Sequence, residues 1–491
     1  MLNRYDSLGE PPYDEYNWPD RTATTEKLSF VNHVKTFFNT KQAPTLPDSV
    51  HAKLEVLYTR ARWRIPEDPF SKEKIRRYVD EELNWNSSPG YPLHRHYPTN
   101  RDLLNAKGVE WLVERVCDHI NKLLTEPDIK LSCFPVRVFI KREPHKKKKL
   151  NGRERLIWSI SLFDQIVDGL LFGSSLQAEL QNYQHIPSKP GLSEFNGGMR
   201  QLFEQMEPEG ESHTFCEMDK SAWDFTVPEW MYKIDSKARI RLCLNWPSTA
   251  NNFTRLWDIR YSQLACSRIA FSDGTILAQT TPGIVRSGSK LTISMNSRSQ
   301  VALKVIYCET LLGGYRDAAH RIVAMGDDTV ERVDGMDLGS YVSWLNSLGF
   351  VVKEVPSAVS TLIGSTFCGR VFVKHPAHGV VFVPAYWKKN LFNLRHIVER
   401  DVLVSALGSL CSEYAFDDEH FPCLYHLLST LDESFMFIHS REHYQSQITG
   451  LEGGAVRVGN VVWDENPETW PRGNAANRND GGRAYFVCIN S

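Results

Sequence analysis

IVAMGDDTVERV, residues Ile322 to Val333, is the stretch on which the fold of this chain turns. Ile322 to Met325 is apolar, Gly326-Asp327-Asp328 has turn composition, and Thr329 to Val333 returns as a strand. The spacing predicts a β-hairpin with two carboxylates at its tip. Neighbouring carboxylates repel unless a cation neutralises them. Gly-Asp is also a common turn pair, so by itself the tripeptide fits a plain hairpin turn.

Two stretches upstream change its weight. In TFCEMDKSAWDF (Thr214 to Phe225), Thr214 to Met218 reads as a short buried strand with Asp219 at its end and Asp224 five residues on. A carboxylate at a strand end can hold a divalent cation, although Asp in a strand-loop turn is ordinary. In RSGSKLTISMN (Arg286 to Asn296), Ser287-Gly288 closes an irregular stretch. Helical spacing then runs from Ser289 to Leu312 and is closed by Gly313-Gly314. Thr292, Asn296 and Gln300 fall at i, i+4 and i+8, one polar stripe on an otherwise apolar helix. Such a stripe is either a solvated face or a buried row that needs partners. Gly283 and Gly288 are spaced as in a phosphate loop, but Ser289 separates Gly288 from Lys290, so that motif fails.

Further out, Arg137 to Arg155 holds nine Lys/Arg against two Glu, a local balance of 9 − 2 = +7. The whole chain of 491 residues has a net charge of only −2, which excludes a tail-driven nucleic-acid binder and requires any such surface to be local. Its 42% hydrophobic and 24% charged residues are the proportions of a folded protein. Ten scattered cysteines without a C-x-x-C pair argue against a disulfide framework or a Cys-based zinc site, and fit a reducing compartment. No apolar leader and no run of 18 apolar residues is present, so no spanning helix is expected.

Helical patterning is expected at 28–38, 50–63, 71–83, 109–124 and 156–172, and a strand at 135–140. SSPGYP (Ser87 to Pro92) reads as a turn, residues 1 to about 25 as a surface arm, and 471–483 as a flexible loop. Taken together, the strand-end carboxylate, the Gly-loop helix and the carboxylate hairpin suit a two-metal site. Asp219 and Asp327 would converge from separate elements on two Mg²⁺ ions, with Mn²⁺ able to substitute.

In this order the residues resemble the palm motifs of viral RNA-dependent RNA polymerases of positive-strand RNA viruses: D-x4-D, SG-x3-T-x3-N and GDD. FIKREPHKKKKLNGRERLI (Phe139 to Ile157) resembles that family's basic fingers motif, which lines the NTP channel. SSPGYP resembles its template-guiding motif, LGFVVK (Leu348 to Lys353) its pyrophosphate-side lysine segment, and FCGRVF (Phe367 to Phe372) its primer-grip hairpin. F-x-K-x-E-P-H with R-x-R-L-I, SLFDQIVDGLLFG, SAWDF and MGDDTVE is most similar to the sobemovirus and luteo-polerovirus-like group.

The resemblance implies an α+β right hand of fingers, palm and thumb with an antiparallel palm sheet backed by helices. It divides the chain into an N-terminal extension and fingertips (1–88), fingers (89–211), first palm motif (212–234), fingers insertion (235–280), palm (281–372), and a small thumb and tail (373–491). Asp219, Asp327 and the weaker partner Asp328 would hold metal. Lys353 would act as general acid. Asp224, Ser287, Gly288, Thr292 and Asn296 would serve the ribose, and Lys141, Arg142, Arg153 and Arg155 the triphosphate. Ser88, Pro89, Gly90, Cys368 and Lys146, Lys147, Lys148 and Lys149 would serve RNA, the four lysines also fitting a solvated loop. His375 and His378 share a Pro-containing turn without metal-site character. Implied partners are single-stranded RNA template and nascent RNA, NTPs, a genome-linked protein primer and other viral replication proteins. The implied setting is the host cytoplasm, at the periphery of membrane-bound replication complexes. Reverse transcription, and a non-catalytic RNA-binding scaffold, are the competing readings. The first would not need Asp224 and Asn296 to demand a 2′-hydroxyl, and the second has no reason to keep Asp327 beside Asp328.

Overall fold

The computed structural model describes residues 13–37 and 43–450, together with the backbone of short strands at 457–458 and 461–462. The loop expected at 471–483 and the first twelve residues of the expected arm lie outside the described residues. The chain divides into two compact units, one formed by Trp18–Gly191 with Thr214–Ala358, the other by Met1–Asn17, Leu192–His213 and Val359–Ser491.

Twelve elements of the first unit bear on the site. They are α1 (Ala23–Phe37), β1 (Val136–Ile140), β2 (Leu156–Ser159), α2 (Leu162–Gln181), β3 (Phe215–Glu217) and α3 (Glu229–Leu242). The rest are α4 (Asn252–Ala265), β4 (Arg268–Ala270), β5 (Ile276–Ala278), α5 (Thr292–Leu311), β6 (Ile322–Met325) and β7 (Asp328–Arg332). One sheet has the order β2-β1-β4-β5, with β1 antiparallel to β2 and parallel to β4. The other has the order β3-β7-β6 and is antiparallel throughout.

Two expectations need correction. Leu156 to Ser159 is a strand, not the start of a helix. An apolar run this short fits either period, and here its backbone pairs with β1, Arg137 lying opposite Ser159. Helix α2 begins only at Leu162. The segment read as an arm to about residue 25 already enters α1 at Ala23, and Glu26 and Ser29 on that helix are buried. Polar residues hid the first turn of this helix, expected only from residue 28, because its buried face is partly hydrogen-bonding rather than apolar.

Helix α5 is buried continuously from Ser294 to Cys308. It stops where expected: Gly313 and Gly314 adopt φ of 74° and 131°, and Gly314 N donates to the Cys308 carbonyl at 2.9 Å. Its polar residues have partners. Arg298 donates to Asp235 of α3 at 2.8 Å and to Glu179 of α2 at 3.0 Å. Arg239 of α3 bonds the same two carboxylates, at 2.9 and 3.0 Å. Two buried guanidiniums thus face two buried carboxylates, which lets three helices share an interior that an unpaired charge could not enter.

In the second unit, strands Thr366–Phe367, Arg370–His375 and Gly379–Pro384 form an antiparallel sheet. Phe367 pairs with Arg370 across a two-residue loop, Cys368-Gly369, both at positive φ (51° and 73°), as a type I′ turn requires. Buried Arg370 is held between Glu194 and Glu413. Helices Gly198–Met206, Arg400–Glu413 and Phe421–Leu431 belong to this unit.

Candidate active site

The hairpin expected around Gly326 forms as β6 and β7, with Met325 opposite Asp328 across the loop Gly326-Asp327. Gly326 takes φ of 68°, which a side chain would resist. Two contacts from α5 fix the tip. Ser297 Oγ accepts from Gly326 N at 2.9 Å, and Gln300 Nε2 donates to the Asp327 carbonyl at 3.4 Å. Ser297 carries no sequence signal of this role, since its partner is a backbone group almost thirty residues away.

Strand β3 lies beside β7, Glu217 opposite Val330, so the chain leaves β3 toward Asp219 next to the hairpin tip. Asp219, Asp327 and Asp328 are exposed. Their mutual field is visible on Asp328. Partial desolvation, then the charges of Asp327 and Asp219, push its carboxyl up to about 6, with Arg155 opposing. Lys220, the residue after Asp219, is buried instead, its Nζ 3.9 Å from Glu331 of β7, which also pairs with Lys304 of α5 at 3.0 Å.

Asp224 is the second residue of the short helix Trp223–Thr226, entered through Ala222 at φ of 51°. Asn296 Nδ2 donates to its Oδ1 at 2.8 Å. Burial, then the charge of Asp327, raise the Asp224 carboxyl to about 6, against the Asn296 bond and Arg155. Asn296 is buried, and its Oδ1 has no hydrogen-bond partner among the described residues. The polar stripe is therefore a buried row, not a solvated face. Half-buried Thr292 donates to the carbonyls of Arg286 and Ser289, closing the turn that leads into α5.

Ser287 and Gly288 dock on β2. Ser287 Oγ accepts from Trp158 N at 3.2 Å, and a Cβ on Gly288 would stand 1.9 Å from the Trp158 carbonyl oxygen. Of the basic residues, Arg155 is half exposed and pairs with Glu143 at 3.5 Å. Lys141 pairs with the same carboxylate at 3.4 Å. Arg155 reaches Asp224 and Asp328 with its charge, and Lys149 feels Asp219. Partial desolvation and the positive charge of Arg155 hold the Lys149 ammonium below its usual range. Lys146, Lys147, Lys148 and Lys149 are exposed on a strand end and a single 3₁₀ turn; Arg142 and Arg153 are exposed as well. Lys353 is exposed just beyond Val351, whose carbonyl accepts from Ser221 N at 2.8 Å.

Ser88, Pro89 and Gly90 lie on the β2–α2 corner. The Pro89 carbonyl accepts from Leu162 N at 2.9 Å, and a Cβ on Gly90 would lie 2.5 Å from the Ile160 oxygen. Cys368 occupies the turn of the other unit. No group of three or more His, Cys, Asp or Glu side chains already stands at metal-ligand spacing among the described residues. The donor set nevertheless fits a hard cation: carboxylate oxygens from two elements, open to water and repelling one another.

A sequence profile described as viral RNA-dependent RNA polymerase matches residues 72–401. The chain is 31% identical over 410 residues to the replicase polyprotein P2AB of Southern cowpea mosaic virus, covering 78% of this chain and 40% of that protein. It is 32% identical over 314 residues to the RNA-directed RNA polymerase of Mushroom bacilliform virus, 61% of this chain and 72% of that protein. Over 333 residues it is 32% identical to protein P1-P2 of Potato leafroll virus, 62% of this chain and 28% of that protein. The chain thus spans less than half the length of replicase polyprotein P2AB and of protein P1-P2.

Proposed function

This chain belongs to the viral RNA-dependent RNA polymerases, and from that premise we propose that it synthesises RNA on an RNA template from NTPs by two-metal nucleotidyl transfer. One observation carries the reading. Asp327 acts by charge on both Asp328 and Asp224, Arg155 acts on the same two carboxyls, and Asp224 is bonded to Asn296.

In this reading Asp219, Asp327 and Asp328 hold two Mg²⁺ ions. When bound, the ions would activate the attacking 3′-hydroxyl and offset charge on the leaving pyrophosphate. Asp224 and Asn296 bind the ribose. A 2′-hydroxyl both donates and accepts, and the unpartnered Asn296 Oδ1 is an acceptor of the right kind beside Asp224. Ser287, Gly288 and Thr292 fix the turn that sets the height of Asn296. Arg155, with Lys141, Arg142 and Arg153, holds the triphosphate, guanidinium suiting bidentate phosphate contact. Lys146 to Lys149 attract RNA by counterion release, and Lys353 donates a proton to pyrophosphate. Ser88 to Gly90 guide the template and Cys368 sits in the primer-grip turn. Fingers, palm and thumb would follow the boundaries expected from the sequence.

No helix of the described residues is long and apolar enough to cross a membrane. We place the protein at the periphery of replication complexes in the host cytoplasm, initiating either de novo or from a genome-linked protein primer. The test is incorporation of labelled nucleotide by the purified chain on a short RNA template with Mg²⁺, with and without primer. Template-dependent use of rNTPs supports the reading. Preference for dNTPs would favour reverse transcription, and no incorporation a binding scaffold.

A further inference from the structure

Helix α1 lies wholly outside residues 72–401, yet it holds the basic segment from beneath. The turn Asn151–Arg155 closes around one buried side chain. Glu154 accepts from Asn151 N and Gly152 N, both at 2.8 Å, and from the hydroxyl of Ser29 on α1. Asn32 Nδ2 donates to the Gly152 carbonyl at 2.9 Å. Gly152 takes φ of 105°, and a Cβ there would stand 2.6 Å from Asn32 Nδ2 and 2.9 Å from Leu28 Cγ. The turn therefore sits directly on the helix.

The same face of α1 reaches the ribose side. The His33 ring bonds the Glu154 carbonyl at 3.1 Å and stacks on Phe225 at 4.8 Å, and Phe225 is the residue after Asp224. Other α1 residues anchor the helix on the β4–β5 turn. Glu26 accepts from Ser272 N at 2.9 Å and Ser272 Oγ at 2.7 Å, and Lys27 pairs with Asp273. Phe30 meets Phe271 and Trp158 edge-on.

We infer that α1 is a clamp for nucleotide binding: Ser29, Asn32 and His33 are positioning residues that hold the Arg153–Arg155 turn, and with it Arg155, toward the carboxylates through Glu154. This rests on the triphosphate role proposed for Arg155. A flexible Arg loses freedom when it grips a phosphate, and a turn fixed in advance reduces that loss. Arg153 and Arg155 flank Glu154, so releasing Glu154 frees both at once. The effect belongs to NTP affinity, not to chemistry once NTP is bound.

The test is a set of NTP titrations of elongation by the full chain on one RNA template, comparing wild type with Asn32→Ala, Ser29→Ala and Arg155→Ala. Asn32→Ala and Ser29→Ala should each raise the NTP KM at least about fivefold with kcat within about twofold. RNA affinity and its salt slope should stay at wild-type values, which a general loss of structure would not allow. Should Ser29→Ala fail to fold, half-buried Asn32 carries the test. An unchanged KM in folded Asn32→Ala, with a raised KM in Arg155→Ala, overturns the clamp and leaves the triphosphate reading standing. An unchanged KM in Arg155→Ala as well overturns both.

Discussion

Asn296 and Asp224, 72 residues apart, are joined by a 2.8 Å hydrogen bond from the amide Nδ2 to the carboxyl Oδ1. The bond orients the amide and leaves its buried Oδ1 without a partner among the described residues. Asn296→Ala removes both at once. In the proposed site it should lower kcat/KM for rNTPs at least about tenfold, the loss of one hydrogen bond of about 1.4 kcal/mol, with a much smaller change for dNTPs. Parallel titrations with the two nucleotide types check this. An unaltered ratio would make Asn296 a packing residue.

Gly288 is the contact point between the turn before α5 and strand β2. A Cβ would stand 1.9 Å from a backbone oxygen, which no rotamer change relieves. Gly288→Ala should destabilise the protein by about 2–4 kcal/mol and lower activity by tilting α5. Urea unfolding and single-turnover rates measure the two effects. Wild-type stability would show that β2 yields easily.

The carboxyl of Asp328 is raised to about 6 from an ordinary value of 3.8. Between those values the folded state holds more protons at this site than the unfolded state, so folding stability falls as pH rises through the window. Asp328→Asn removes the effect. The variant should gain melting temperature relative to wild type between pH 4 and pH 7 in EDTA, and saturating Mg²⁺ should shrink that gain at pH 7. A difference that is flat with pH would mean Asp328 feels neither Asp327 nor Asp219.

Glu179 balances two guanidiniums, Arg239 and Arg298, each at 3.0 Å. Glu179→Ala leaves a buried excess of positive charge at the join of α2, α3 and α5. The expected loss is about 3–5 kcal/mol, read from the urea midpoint. A loss under about 1 kcal/mol would indicate that water reaches these groups.

The places of the candidate site residues in the fold were legible because each motif is short and sits where secondary structure changes. Asp219 follows a strand, Asp327 tips a hairpin, and Asn296 lies one turn into a helix. The buried fate of the Thr292–Asn296–Gln300 row was not legible, because it depends on what covers that face. Leu156–Ser159 was misread because a short strand and a helical turn look alike over three successive apolar residues. The support beneath the site was out of reach for a different reason. Ser29 meets Glu154 and Arg298 meets Glu179 across more than a hundred residues, and no local pattern announces such pairs.

The two-metal assignment is tested most directly by the single-turnover rate of nucleotide addition in Asp327→Ala at saturating Mg²⁺, NTP and RNA, with folding checked by circular dichroism. Loss of a metal ligand should slow addition at least about a thousandfold, or about 4 kcal/mol in the barrier, while RNA binding persists. A folded Asp327→Ala protein that elongates RNA at near the wild-type rate would contradict it.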